Sequence, residues 1–463
     1  DLVRSRGLGD VYKRQIRDSL LNNEADLAVH SLKDLPIEDQ KDTLIVSMLE
    51  RADSRDILFL KKDIFENYNN KELRILTSSP RRVYNFSNFI ESLIPFNPSN
   101  ITFEDVRGNI PTRLEKLLNG DCQGLIVAKA AIDRLISYGN KDISAKIQSY
   151  LDDLLWMIIP LSLNPCAPGQ GAIAIEVNSK RKDIIELVNK INHNETFSQV
   201  AKEREILQNY GGGCHQKIGV SIESKFFGQI LTIKGQTEEG LEIEKREVVN
   251  QTTDWKNIPE SNFFPSNLNK YKLFERKLIN KNLKKINKLK NTNIYVSREN
   301  ALPKNQNIEL TNVVWTSGVK TWKKLAKKGY WVNGSSDSLG EDDPEIKCLS
   351  KNKKWVKLTH NMTQKNYFKS HKDPQNARII PTYELKPVNM NEDLNEKTHF
   401  YWMSGSAFKL ALKNYPKIIN ANHSCGPGNT LKTIKKYINK NNINVFLSYE
   451  DALKNITRPG DKK

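Results

Sequence analysis

"GLIVAKAAIDRLI", residues 124–136, decides the architecture. An apolar run of strand length passes without a turn into a segment whose apolar residues fall at helical spacing, so a buried strand feeds directly into a helix. Outward from it the same alternation recurs. "PTRLEKLLNG" (111–120) reads as a helix stopped by Gly120, and "LRILTSS" (73–79) and "ADLAVHSL" (25–32) read as strands. Strands alternating with helices predict an α/β domain on a largely parallel sheet, with ligands beyond the carboxyl ends of its strands. The helical segment "TFSQVAKEREILQNY" (196–210) leads into "GGGCHQKIGV" (211–220). The runs "KIGVSIES" and "QILTIKGQT" then predict two strands of a smaller α+β unit ending near residue 250. Past a Lys/Asn-rich stretch at 265–290, "TNIYVSREN", "VVWTSG", "KWVKLTHN", "THFYWMSGSAF" and "IINANHSCGPGNTLKTIKKYI" suggest a second, more polar α/β module. No fixed-period repeat is present.

At 463 residues the chain has room for about three domains. No apolar run approaches the ~18 residues of a membrane span, and no signal-peptide pattern opens the chain, so a cytoplasmic protein without a membrane partner is expected. The five cysteines, Cys122, Cys166, Cys214, Cys348 and Cys425, are scattered and lack CxxC spacing, which argues against a disulfide framework or a metal site. A net charge of +18 could serve nucleic acid, but the excess is Lys among Asn and Ile with no interleaved aromatic platform, and no specific nucleic-acid partner is expected. Arg is the informative cation. Eight lie between Arg51 and Arg134, whereas only Arg298, Arg378 and Arg458 follow residue 290. A guanidinium matches a carboxylate bidentately and an ammonium does not.

Three polar clusters sit at strand ends. "AVHSLKDLP" (28–36) gathers His30, Ser31, Lys33 and Asp34 before Pro36. "TSSPRR" (77–82) places Thr77, Ser79, Arg81 and Arg82 at a helix start, an arrangement suited to anions. "VRGNIPTRL" (106–114) repeats it with Arg107, Gly108 and Arg113, and a cation in a first helical turn opposes the helix dipole unless an anion is present. Taken singly, each could be an ordinary polar loop or helix cap. Together they suggest a ligand with many carboxylates or phosphates.

These motifs, with "LNPCAPGQGAIAIEV" (163–177) and the glycine loop of Cys214, in this order, resemble the hydroxymethylbilane synthase (porphobilinogen deaminase) family over roughly residues 16–250. The resemblance implies two periplasmic-binding-protein-like α/β domains, the first one truncated, plus a small α+β domain carrying the cofactor cysteine, followed by a second α/β module. It implies domain 1 at 16–55, domain 2 at 56–150, a return through the hinge at 151–190, domain 3 at 191–265, a linker at 266–290 and the further module at 291–463. It implies a dipyrromethane cofactor on Cys214, with porphobilinogen as substrate and a linear tetrapyrrole as product, in a monomer. Asp34 would be the catalytic carboxylate with Lys33 beside it. Ser31, Thr77, Ser79, Arg81, Arg82, Arg107 and Gly108 would hold the cofactor, Arg113 and Arg134 would hold substrate carboxylates, and Gln170 would sit at the hinge with the substrate-binding group. A flexible glycine loop and a nucleophilic thiol fit that use of Cys214.

Residues 1–15, "DLVRSRGLGDVYKRQ", lack apolar periodicity and read as foreign to the fold, so that the chain is expected to lack the family's opening strand and helix and could be inactive as it stands. Pro80 stands where the family often has Leu, which suits a helix start. The C-terminal stretches "YWMSGSAFKLAL", "CGPGNTLKTIKKYI" and "NVFLSYEDALKNI" look like the second half of uroporphyrinogen-III synthase, with Ser404, Ser406, Gly426 and Thr430 facing an interdomain cleft. The contrasting expectation is a hinged anion-binding protein without chemistry.

Overall fold

The computed structural model describes residues 15–37, 42–67, 71–211, 216–249, 258–268, 271, 273–351, 353–362, 378–388 and 392–454. Its first sheet has the order β1-β8-β2, from β1 (Ala28–Ser31), β2 (Thr43–Met48) and β8 (Ile173–Asn178). A helix α1 over 15–21 precedes it. Both pairings are antiparallel. The expected parallel order fails here because β8 returns from the neighbouring domain and runs between β1 and β2 in the opposite sense.

The segment that opened the reading lies in the second sheet, where β6 (Gly124–Ala128) is buried along its whole length and passes directly into α5 (Lys129–Tyr138). Around it stand β3 (Asp56–Lys61), β4 (Glu72–Leu76), β5 (Asn100–Glu104) and β7 (Leu154–Ile159), in the order β5-β4-β6-β3-β7. Helices α2 (Ile64–Asn67), α3 (Pro80–Ser87), α4 (Ile110–Asn119) and α6 (Lys141–Asp152) complete the domain. The β4–β5 and β4–β6 pairs are parallel, while β3 runs antiparallel to both β6 and β7. The chain therefore steps from β4 out to β5 and back across to β6, which makes the carboxyl ends of β4 and β6 the switch point where a ligand crevice opens.

Two crossovers, 49–55 and 160–172, join the first two domains side by side. Ala52 N–H donates to Gly171 O at 3.1 Å. Gly171 has φ +86, and a Cβ there would fall 2.4 Å from Ala52 O, so only glycine permits this approach. The helix α7 (Lys182–Asn189) covers the first sheet. α8 (Asn194–Gln208) then leads to a third, antiparallel sheet of β9 (Gly219–Lys225), β10 (Gly228–Gln236) and β11 (Glu242–Val249), seated on Leu207.

The rest of the described chain forms two lobes. A six-stranded sheet has the order β13-β18-β17-β14-β15-β16, from β13 (Phe274–Leu278), β14 (Asn293–Val296), β15 (Val313–Thr316), β16 (Gly334–Ser335), β17 (Trp355–His360) and β18 (Arg378–Pro387). With it go α9 (Asn280–Ile286), α10 (Val319–Ala326) and α11 (Lys347–Ser350). A four-stranded parallel sheet has the order β12-β19-β20-β21, from β12 (Phe263–Phe264), β19 (His399–Trp402), β20 (Asn422–Cys425) and β21 (Ile443–Val445), with α12 (Gly405–Asn414), α13 (Asn429–Ile434) and α14 (Tyr449–Lys454). The expected linker at 266–290 is thus corrected: it contains β13 and α9, and β12 already belongs to the C-terminal module. The sequence misled because β13 is an edge strand with only Phe274 buried, so its solvent face carries the charge that a linker would.

The two halves of the chain meet edge to edge. Ile158 N–H donates to Asn333 O at 2.8 Å, and the Asn333 side chain donates to Trp156 O at 3.0 Å and accepts from Val314 N–H at 2.9 Å. Continuous apolar cores pass across this seam on both faces, joining Leu93 to Trp322 on one and Ile158 to Trp315 on the other. No helix among the described residues is long and apolar enough to cross a membrane.

Candidate functional site

The three strand-end clusters converge, each fixed by local chemistry. At the end of β1, Leu32 is fully buried and its N–H bonds Ala172 O at 3.1 Å, which turns the chain at a half-buried Lys33 and an exposed Asp34. Arg204 of α8 donates to the carbonyls of Leu32, Leu35 and Pro36 and holds that turn. At the end of β4, Ser78 Oγ donates to Val106 O at 2.7 Å and accepts from Val106 N–H at 3.0 Å, tying the second cluster to the third. Thr77 is buried, and Ser79 caps α3, accepting from Arg82 N–H. Gly108 O accepts from Arg113 Nε at 2.7 Å, while Arg107 is exposed, 4.0 Å from Asp105.

Beneath these groups lies a carboxylate that the motifs did not announce. Asp56, 1% exposed at the start of β3, binds Arg82 at 2.6 Å and the Gln170 amide at 2.9 Å through one oxygen. Its other oxygen binds Arg81 and the Asn164 amide, both at 2.8 Å. Burial alone would raise its pKa, yet the Arg82 and Arg81 guanidinium groups hold it far below the usual carboxylate range. Gln170 is buried and also donates to Ser54 O at 2.7 Å, so its amide reaches the cleft only through Asp56. A charge opening the otherwise apolar strand "DILFL" was a legible sign, since a buried acid requires partners.

The upper surface of the site is electropositive. Lys33 has its pKa lowered by burial and then by Arg82, and Arg113 is lowered by burial and then by Arg82 and Arg107, with Asp34 a smaller opposing charge on both. These cations crowd one another. The Nε–H groups of Arg81 and Arg82 are buried and have no hydrogen-bond partner among the described residues. A multiply anionic group fits such a place, relieving the repulsion and accepting from the unused donors.

Arg134 is exposed on α5, and Ser31 is exposed at the end of β1. His30 turns inward, 2.9 Å from Glu176, which also accepts from Arg17 and Thr43. Cys214, with the glycine loop, lies outside the described residues. Cys166 is buried and Arg51 donates to its sulfur at 3.4 Å; burial, then Glu203, pushes its thiol up to about 12, which suits a structural role. Glu203 of α8 was another group missed in the sequence. It accepts from Arg51, Gly169 N–H and Ile222 N–H, locking hinge, PGQG loop and third sheet together. In the C-terminal module Ser404 caps α12, with Ser406 in that helix's first turn. Gly426 follows β20 and Thr430 lies in α13. Gly428 has φ +104, a conformation that favours glycine, and a Cβ there would lie 3.0 Å from Gly340 Cα, so the two lobes touch there.

Fold and site define an α/β protein of adjoining domains with a cluster of cations at the switch point of its second domain. Residues 3–186 match the family model described as "Porphobilinogen deaminase, dipyromethane cofactor binding domain". That span includes most of the opening stretch that reads as foreign in the sequence. The porphobilinogen deaminase of Caldicellulosiruptor saccharolyticus is 37% identical over 48% of this chain and 70% of that protein. Those of Syntrophomonas wolfei (34% identical; 49% and 67% covered) and a Nostoc species (32%; 53% and 71%) are similar. The chain belongs to the porphobilinogen deaminase family. Among solved structures, the substrate-binding protein of an amino acid ABC transporter is 15% identical with a TM-score of 0.21, covering 42% of this chain and 70% of that one, a likeness too slight to carry an argument.

Proposed function

We propose that this chain joins porphobilinogen units head to tail with release of ammonia, as a hydroxymethylbilane synthase. The observation that carries the reading is the crowd of Lys33, Arg107 and Arg113 about Asp34, above Arg81 and Arg82 with their unused buried donors. Arg81, Arg82 and Arg107, with Ser79 and Thr77, would hold the acetate and propionate groups of a dipyrromethane anchored to Cys214. That group, when bound, supplies the free pyrrole carbon from which the chain grows. Arg113, Lys33 and Arg134 would hold the carboxylates of incoming porphobilinogen. As its aminomethyl C–N bond breaks and ammonia leaves, positive charge spreads onto the substrate pyrrole nitrogen, and the Asp34 carboxylate stabilises it. The carbon freed of ammonia would then bond to the pyrrole carbon that the group supplies, with loss of the proton held there. Asp56 takes no part in bond making; it keeps two guanidinium groups aimed. The test is intact mass after expression with ample precursor. A gain equal to a dipyrromethane, absent in Cys214→Ser, is expected, and an unmodified active chain would overturn the reading.

A second activity is proposed for the C-terminal module, inversion of the last ring and closure of the macrocycle as in uroporphyrinogen-III synthase. The support is its pair of α/β lobes in contact at Gly340 and Gly428, with the caps of α12 and α13 at strand ends. Supplied with porphobilinogen, the chain is expected to yield the type III isomer of uroporphyrin after oxidation. Type I alone would remove this second activity and leave the first intact.

A further inference from the structure

The six-stranded sheet repeats the topological device of the deaminase cleft. From β14 the chain steps outward to β15 and β16, then places β17 on the other side of β14, with all four strands parallel. The carboxyl ends of β14 and β17 therefore flank a switch point, where open α/β sheets hold their ligands. His360 is the last residue of β17. Val296 stands opposite Leu358, and continuing that register sets Arg298 level with His360 on the same face. Tyr383 lies opposite both His360 and Leu278, and Arg276, two residues before Leu278, shares the face and overhangs the sheet's carboxyl edge. The His360 and Tyr383 rings are 5.9 Å apart.

The two guanidinium groups lie close enough to act on each other, with Glu299 the nearest opposing charge. Arg276 has its pKa lowered by burial and then by Arg298, and His360 is lowered to about 4 by burial, then by Lys357, Arg298 and Arg276. Neither Arg276 nor Arg298 has a carboxylate in hydrogen-bond contact among the described residues. The neighbouring acid, Glu299, is bound to Lys324 at 3.0 Å, and Lys357 is bound to Glu341. Across the gap, the Tyr271 hydroxyl lies at the Met403 backbone, directly before the Ser404 cap of α12, so the second lobe closes over the same place.

We propose that Arg276 and Arg298, with the His360 ring and the Tyr271 hydroxyl, form a second polyanion site that takes an aromatic or pyrrolic ligand bearing several carboxylates. The site stands on its own geometry, whereas its identity as the place where a linear tetrapyrrole is closed rests on the cyclisation reading above. The probe is uroporphyrin I, a fluorescent octacarboxylate, titrated into the full-length chain carrying Cys214→Ser and Arg113→Gln so that the deaminase cleft is blunted. Arg276→Gln with Arg298→Gln is expected to weaken binding more than tenfold at low salt, with Arg298→Lys intermediate. Arg378→Gln, at the opposite end of the same sheet, is expected to leave binding unchanged. Unaltered affinity in the Arg276/Arg298 pair, with its circular dichroism melt preserved, would overturn the site; so would equal loss in Arg378→Gln. Arginine-dependent binding, with only type I uroporphyrin formed by the chain that keeps Cys214 and Arg113, would sustain the site while removing the cyclisation reading. Type III product from a chain whose porphyrin affinity ignores both arginines would do the reverse.

Discussion

Asp56 shows how one residue organises a site without touching what the site binds. It pairs with both Arg81 and Arg82 in the interior, where an unpaired guanidinium would be costly. Asp56→Asn keeps the shape but removes the charge, and a stability loss of about 3–5 kcal/mol is expected, read as a fall in the urea midpoint. Deaminase activity should fall with it, because the two arginines would lose the partner that aims them. Glu176 offers a pH-dependent counterpart. Burial would raise its pKa, yet hydrogen bonds from His30, Thr43 and Arg17 hold it down to about 2. A carboxylate with a depressed folded pKa stabilises fully above its unfolded value, about 4.3, and that contribution is lost as pH falls toward the folded value. Between pH 5 and pH 3 the melting temperature of the unmodified chain is therefore expected to drop more steeply than that of Glu176→Gln. Parallel slopes for the two would refute the assignment.

At the scale of elements, strand edges decide both what was legible and what was not. The run 124–136 could be read because β6 is buried on both faces and needs apolar residues throughout, and the motif at 77–82 because Ser79 and Pro80 obey local capping rules. β13 could not, since an edge strand is held by backbone bonds to β18 and its side chains are free to be Glu, Arg and Lys. His30 and Ser31 are neighbours in sequence, but strand alternation sends one inward and the other to the surface, so a cluster counted along the chain overstated the site. Asn333 is the corresponding case in the C-terminal module. Nothing in "YWVNGSS" marks it, yet its backbone and side chain together join β7 to β15. Asn333→Leu leaves buried donors and acceptors of both strands unpaired, at about 1–3 kcal/mol each. Faster hydrogen exchange at Ile158, in the other half of the chain, is the expected signature; an unchanged rate there would mean that the seam does not depend on this side chain.

Across the whole molecule, the seam makes the C-terminal module part of the deaminase's second domain rather than an appendage. Trp322 is fully buried and donates from its indole to Leu93 O at 3.0 Å, while Trp331 packs edge-on against Phe65 with ring centroids 6.4 Å apart. Asp337 extends the attachment to the third sheet, accepting from Ser162 Oγ and from Arg246 at 2.8 Å. A module bound through shared cores and a buried edge strand cannot swing freely, so the polyanion cleft of one half and the switch point of the other keep a fixed relation. It follows that damage on one side of the seam should be felt on the other. Truncating Trp322 to Ala removes a large buried ring and the partner of Leu93 O, at a cost of about 3–5 kcal/mol. If the halves fold as one body, hydrogen exchange in Trp322→Ala should rise at residues 89–94, beneath α3 and its two arginines. The melting transition of the deaminase half should shift down together with that of the C-terminal lobes. If the halves were independent, protection at 89–94 would stay as it was and only the C-terminal transition would move.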